Sequence, residues 1–306
     1  MRTKIYVPDI ECDSCVKIID KKFKSLQGIM SYDIKDTLIE VEYDESLISP
    51  ENIITTIKGL NFRASFNPFE RKSMKERYRH YKENRNQYLT EINVVKYIAY
   101  IFLILSGIEL VAYFGFLNTV PDFLQKYGWW IFYLNFSIAF IFSAVWHFVS
   151  YKAKVTCMTG MMIGMTLGMQ TGMMLGAVTG ATNGFFIGSM VGMILGVLVG
   201  AITGNCCGIM GIMEGMMAGI MGGTMGSMIS VMMFTDHILI FMPFYMLFNA
   251  LILLGFSYML FEEVIEGKIS IEKRSIDFTT LASLSIIFTL LLIILMIYGP
   301  KGVLFA

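Results

Sequence analysis

Charge is what this sequence has least of. Between Lys154 and Lys268 there is no lysine or arginine, and charged residues fill only 16% of 306 positions. Histidine occurs three times and cysteine five times. The two signs of charge cancel to zero, so nothing pulls the chain globally toward nucleic acid. The chain also lacks a Gly-x-x-x-x-Gly-Lys-Ser/Thr phosphate loop, an Asp-Lys-Thr-Gly phosphorylation motif and a Cys-Pro-Cys membrane site. These absences exclude a primary ATP-driven pump. Without a nucleophile–base constellation or a cofactor signature, the chain reads as no enzyme, with no organic cofactor.

What is present is apolar. Hydrophobic residues make up 55% of the chain, and mean hydropathy is +0.62, too high for a soluble protein of this length. Residues 1–90 differ: they are charged, and no apolar run among them is long enough to span a bilayer. Met1–Asp9 reads as a strand and not as a signal peptide. The chain therefore reads as an α-helical polytopic membrane protein carrying an N-terminal α+β domain. Residues 1–68 form the head, 69–90 a basic helical connector and 91–306 the transmembrane domain, with a Gly/Met-rich core at 157–233. Spans are expected near 92–117, 129–150, 157–179, 184–204, 207–233, 237–260 and 278–298. The third to fifth are joined by very short loops, so six or eight spans also fit.

Lysine and arginine in short loops orient such a protein. The connector holds Arg71, Lys72, Lys75, Arg77, Arg79, Lys82 and Arg85, which places the head in the cytoplasm. The loops with Lys152 and Lys154, and with Lys268, Lys273 and Arg274, fall on the same side when seven spans are counted. Trp129 and Trp130 are then expected at the outer interface and Trp146 at the inner one.

The head reads strand 3–8, helix 15–26, strands 29–35 and 38–44, a helix opening at Ser49 with Glu51 behind it, and a last strand at 62–68. That order is βαββαβ, a ferredoxin-like sandwich. Cys12 and Cys15 form a C-x-x-C after the first strand. Two thiolates from one loop suit a soft monovalent ion, and a cysteine at a helix N-terminus has a lowered pKa. The alternative, a redox C-x-x-C of thioredoxin type, needs a different strand order.

The stretch "YVPDIECDSC" resembles the metal loop of heavy-metal-associated domains, the modules of copper chaperones and of copper-pump N-termini. "LNFRAS" at 60–65 is similar to the Gly-Phe/Tyr-x-Ala end of that module. Asp9 and Ile10 stand where the family has Gly-Met. The resemblance covers residues 1–68. It implies Cu(I) held between Cys12 and Cys15, with Phe62 packed near the site.

In the membrane domain, glycine recurs at every fourth position from Gly160 to Gly208, thirteen in a row, followed by Gly211, Gly215, Gly219, Gly222, Gly223 and Gly226. Small residues at this period let helix backbones approach closely in lipid, here with right-handed crossings expected. Methionines are expected beside the glycine line. Met161, Met165, Met169 and Met173 are four apart. Met210, Met213, Met217, Met221, Met225, Met228 and Met232 follow spacings of three and four, one helix face about 33 Å long at roughly 1.5 Å per residue. Two readings compete. Methionine is a flexible filler of gaps between helices. Alternatively, its thioethers are soft, neutral ligands that select Cu(I) or Ag(I). The pattern resembles the Met-xxx-Met and Gly-xxx-Gly helices of Ctr-type copper transporters, in pattern only, since those place the two motifs on different helices.

Cys157, Cys206 and Cys207 are expected at the cytoplasmic face, on the side of Cys12 and Cys15. A vicinal Cys-Cys also occurs in bacterial mercuric transport proteins, which makes Hg(II) the competing ion. Glu214 is the one ionisable residue besides thiols between Cys157 and Phe234, read on one face with Met210 and Cys207. An intramembrane carboxylate points to charge neutralisation or proton exchange. Asp236 and His237 suggest an outer site, or a plain helix cap. The expectation is a Cu(I) transporter or channel in the cell membrane, homo-oligomeric and served by a soluble copper chaperone or copper acceptor. Set against it are a Hg(II) importer with a fused thiol carrier and a copper-responsive membrane scaffold or sensor.

Overall fold

The computed structural model describes residues 1–10, 13–35, 37–60, 62–68, 79, 82, 89–115, 123–151, 157–262 and 277–302, the side chains of 13, 14, 89–91 and 157 excepted. Cys12, the connector apart from Arg79, Lys82, Leu89 and Thr90, and the loops carrying Lys152, Lys154, Lys268, Lys273 and Arg274 lie outside that set. The chain divides into two compact units, one built on Met1–Arg85 and the other on Asn86–Ile265 with Ile271–Ala306.

The first unit runs β1 (Arg2–Tyr6), α1 (Asp13–Lys24), β2 (Ile29–Lys35), β3 (Leu38–Tyr43) and α2 (Pro50–Gly59). The antiparallel sheet has the order β1-β3-β2, with Ile5 opposite Ile39 and Tyr32 opposite Val41. Alternation turns Ile5, Val7, Ile39, Val41 and Tyr43 inward, where they meet Ile19 and Phe23 of α1 and Ile53 and Ile57 of α2. Ser49 caps α2 as its sequence signature requires, accepting from the Asn52 N–H at 3.3 Å.

The expected strand at 62–68 contracts to one bridge, Tyr6 with Ser65. Continuing that register in one direction sets Arg63 opposite Pro8, which has no N–H to give. Arg63 N–H turns instead to the Asp9 carboxylate at 2.7 Å, and Phe62 N–H to the Ile57 carbonyl. In the other direction Asn67 N–H bonds the Ser65 hydroxyl at 3.2 Å.

Among its described residues the second unit has seven helices long and apolar enough to cross a membrane, which makes the protein an integral membrane protein. They are α3 (Leu89–Gly115), α4 (Phe123–Ser150), α5 (Cys157–Asn183), α6 (Phe185–Gly204), α7 (Ile209–Met232), α8 (Ile238–Leu260) and α9 (Phe278–Tyr298). Their apolar stretches agree with the sequence reading to within a few residues, apart from a second span that starts earlier. Of the tryptophans, Trp129 is exposed, Trp130 is buried, and Trp146 packs edge-on against Tyr97 at 4.6 Å.

Helices α5, α6 and α7 form a bundle with almost no side chains on its axis. Glycines meet in layers of three: 164 with 204 and 211, 168 with 200 and 215, 172 with 196 and 219, and 176 with 192 and 223. Ser227 completes a fifth layer with Gly180 and Gly188, and its hydroxyl lies 2.6 Å from that of Ser189. The contacts are backbone on backbone. A Cβ built on Gly168 would stand 2.7 Å from the Gly215 carbonyl oxygen, and one on Gly192 2.8 Å from the Gly223 Cα. The reversals fall at Gly184 (φ 95°) and Gly208 (φ 73°), both in the left-handed region that glycine tolerates. Helix α4 packs on α5, α8 and α9, and α8 also packs on α5. Helix α7 rests chiefly on α5 and α6, so its far side stays open.

Candidate functional site

The methionine ladder lies on that open side. Met210, Met213, Met217, Met221, Met225, Met228 and Met232 are all exposed, while Gly211, Gly215, Gly219, Gly222, Gly223 and Gly226 of the same helix are buried. The expectation that methionine sits beside the glycine line does not hold on α7. There Met213, Met217, Met221 and Met225 each follow a glycine by two residues. Two residues turn a helix by about 200°, which points the thioethers away from the bundle axis. On α5 the offset is one residue, about 100°, and Met161, Met169 and Met173 are half-buried, with Met165 exposed. Within one chain the α7 ladder therefore faces outward.

Composition sets this face apart from those of α8 and α9, while α5 also exposes Met158, Met162 and Met165. Large exposed apolar residues are leucine, isoleucine, phenylalanine and tyrosine on α8 and α9, with no methionine among them. On α7 they are eight methionines and two isoleucines. One chain thus uses two vocabularies for outward faces.

The cysteines of the core gather at one end of the bundle. Asn205–Cys207 forms a single 3₁₀ turn between α6 and α7. It packs on the first turn of α5, where a Cβ built on Gly160 would stand 2.7 Å from Cys207 Cβ and 3.2 Å from Cys206 Sγ. Cys206 Sγ lies 3.3 Å from the Thr203 carbonyl oxygen. Cys157 heads α5, three residues before Gly160, and its side chain lies outside the described set. Cys207 does not share a helix face with Glu214, contrary to the sequence reading, because the chain reverses at Gly208 before α7 begins. Glu214 is half-buried at the second turn of α7, next to the ladder. At the other end of α7, Asp236 and His237 are exposed; the Asp236 carboxylate accepts the His237 N–H at 2.8 Å and stands 4.0 Å from its Nε2. Among the described residues no three His, Cys, Asp or Glu side chains converge as a metal cage.

In the head, Cys15 is buried at the start of α1 in the same apolar cluster as Phe62. The preceding loop is locked in two ways. Ile10 is buried in the core. Asp9 is 5% exposed, and both its oxygens are engaged: Oδ2 by the Arg63 N–H, and Oδ1 by Arg63 Nε at 2.8 Å and Nη2 at 2.6 Å. The residues that replace Gly-Met thus have definite structural work. No local pattern announces this pair, whose members are 54 positions apart.

Glu109 on α3 is also absent from the residues the sequence singles out, although the rule that points to Glu214 covers it. It accepts a hydrogen bond from the buried Asn135 of α4. Against family models, curated proteins and solved structures, the chain finds no significant match in any of the three comparisons.

Proposed function

We propose that this protein moves Cu(I), or the like-bonding Ag(I), across the cell membrane along methionine thioethers. The observation that carries this reading is the outward face of α7, methionine where the outward faces of α8 and α9 are leucine, isoleucine, phenylalanine and tyrosine. Lipid contact does not ask for sulfur. A relay of weak, neutral, soft ligands does, because each site must bind the ion without trapping it.

On one chain this face is a surface, so the path forms where copies of the chain meet, with α7 ladders facing each other across the contact. The glycine stripe does not make that contact, since α5, α6 and α7 use it up among themselves. This weakens the scaffold reading, in which glycine drives assembly. Glu214 lies beside the ladder and neutralises the charge of the passing ion. Cys157, Cys206 and Cys207 form the thiol mouth at one end, and Asp236 and His237 mark the other.

The head acts as a thiol carrier on the cytoplasmic side, binding metal through Cys12 and Cys15 and exchanging it with the mouth and with a soluble copper chaperone or acceptor. The bridge from Tyr6 to Ser65 supports a ferredoxin-like reading, because it sets the last segment beside β1 and extends the spatial order to 4-1-3-2. The vicinal Cys206 and Cys207 also suit Hg(II). Proteoliposome flux separates the readings. Uptake of Cu(I) and Ag(I) with little Hg(II) supports the proposal. Hg(II) uptake alone assigns a mercuric carrier, and no flux with metal bound to the head assigns a sensor.

A further inference from the structure

We propose that Glu109 and Asn135 form a proton-binding site inside the membrane domain, with the proton held between the carboxyl and the amide. Glu109 lies in the apolar stretch Ile92–Gly115 of α3, and Asn135 is 1% exposed, mid-way along α4. Asn135 Nδ2 donates to Glu109 Oε2. Two acceptors remain beside this bond. Glu109 Oε1 and Asn135 Oδ1 are both buried, and neither has a hydrogen-bond partner among the described residues.

Two buried oxygens on one bonded pair are one hydrogen short. A carboxylate and an amide oxygen have only lone pairs to offer each other. A carboxylic acid supplies the missing donor: its O–H gives to Asn135 Oδ1 while its other oxygen keeps the bond from Nδ2. Both groups are planar forks, so a carboxylic acid and an amide are shaped to close a doubly hydrogen-bonded ring. Turning the amide over does not remove the need, since its oxygen would then face a carboxylate oxygen. One proton satisfies both orphan atoms. Without it, a charge stays in an apolar helix interface with a single donor, a costly arrangement.

Among the described residues the surroundings offer no competing counter-charge. Helix α3 packs on α4 and α9. The titratable groups nearest in sequence are Tyr113, one turn along α3, Tyr133, two residues from Asn135 and so turned about 200° away from it, and Tyr127, two turns before it; Lys126 and His147 of α4 lie more than two turns from Asn135 in opposite directions. Helix α9 has no titratable side chain before Tyr298, at its end. Glu109 has no cation partner among the described residues, only Asn135 and its own burial. The site therefore takes and releases a proton by itself. If the protein transports metal as proposed above, this is where a proton couples to the cycle; the proton site itself does not depend on that reading.

The test is the infrared spectrum of the full-length protein in lipid vesicles near neutral pH. Wild type should show the carbonyl stretch of a protonated carboxyl, Glu109→Gln should lose it, and Asn135→Leu should shift it as the ring opens. A carboxyl band unchanged by Glu109→Gln overturns the proposal. Should that variant fail to fold, dicyclohexylcarbodiimide, which attacks protonated carboxyls in apolar sites, is applied to wild type. Mass spectrometry that places the label on Glu109 supports the site, and a Glu109 left unlabelled overturns it. Metal flux is measured separately: loss of flux with the band intact sinks the transport reading and leaves the proton site standing.

Discussion

Asp9 and Ile10 divide the task of fixing the thiol loop: one is an ion-paired anchor, the other an apolar plug. Removing the carboxylate takes from Arg63 the ion pair and the hydrogen bonds that Asp9 accepts from its side chain and backbone N–H. Arg63 keeps about a quarter of its side chain exposed, so water recovers part of the loss. Asp9→Ala should destabilise the head by about 2 kcal/mol, less than a fully buried pair would lose. Amide exchange at Ile5 and Val41 reads this, and Asp9→Asn, which keeps an acceptor, should lose less. Unchanged exchange in Asp9→Ala would show that the plug alone holds the loop. Asp20 contributes to the acid sensitivity of the same unit, beside Glu40 and Asp44, whose carboxyls hydrogen bonds also hold low. Hydrogen bonds from Lys24 and Tyr32 hold the Asp20 carboxyl below the usual carboxylate range. Its folded pKa is thus below its unfolded one, so its contribution is present above about pH 4 and lost as pH falls through the folded value. Asp20→Asn should flatten the acid limb of head unfolding. An acid limb identical to wild type would assign that sensitivity elsewhere.

At the scale of elements, glycine position decides everything in the core. Gly200 meets the Gly215 backbone carbonyl, whereas Gly107 and Gly255 have nothing within contact of an added Cβ. Gly200→Ala should force α6 and α7 apart at a cost of about 3 kcal/mol or loss of fold. Gly107→Ala and Gly255→Ala should be neutral or gain up to about 1 kcal/mol of helix propensity. Thermal unfolding in detergent compares them, and a stable Gly200→Ala beside two damaged controls would contradict the layer arrangement. The sequence made these elements legible because their signals are periodic: seven apolar runs, thirteen evenly spaced glycines, a Ser49 cap. The sequence reading set methionine beside the glycine line and missed the α7 offset, although two residues on a helix make about 200°. What was not legible joins distant positions. Asp9 with Arg63, Glu109 with Asn135, and the proline that shortens the last strand of the head depend on pairings no local pattern encodes.

At the scale of the molecule, the open ladder of α7 predicts association. A cysteine placed at Met217 should cross-link to its twin in a second copy when the protein is in lipid, and a cysteine at the exposed Leu247 of α8 should not. Monomers at both positions would leave the ladder facing lipid. Cu(I) bound by the full-length chain should also exceed what the two head thiols can hold. Absence of that excess would remove the thioether path.

The most direct measurement is Cu(I) flux through Met217→Leu/Met221→Leu in proteoliposomes. Leucine keeps volume and apolarity, and the pair is exposed on the single chain, so folding should change by less than ~1.5 kcal/mol. Only the sulfur is lost. The account predicts a folded, associated protein whose Cu(I) flux falls at least about tenfold, the equivalent of roughly 1.4 kcal/mol in the barrier. Flux equal to wild type would mean that methionine on this face is packing and that copper, if it crosses at all, crosses elsewhere.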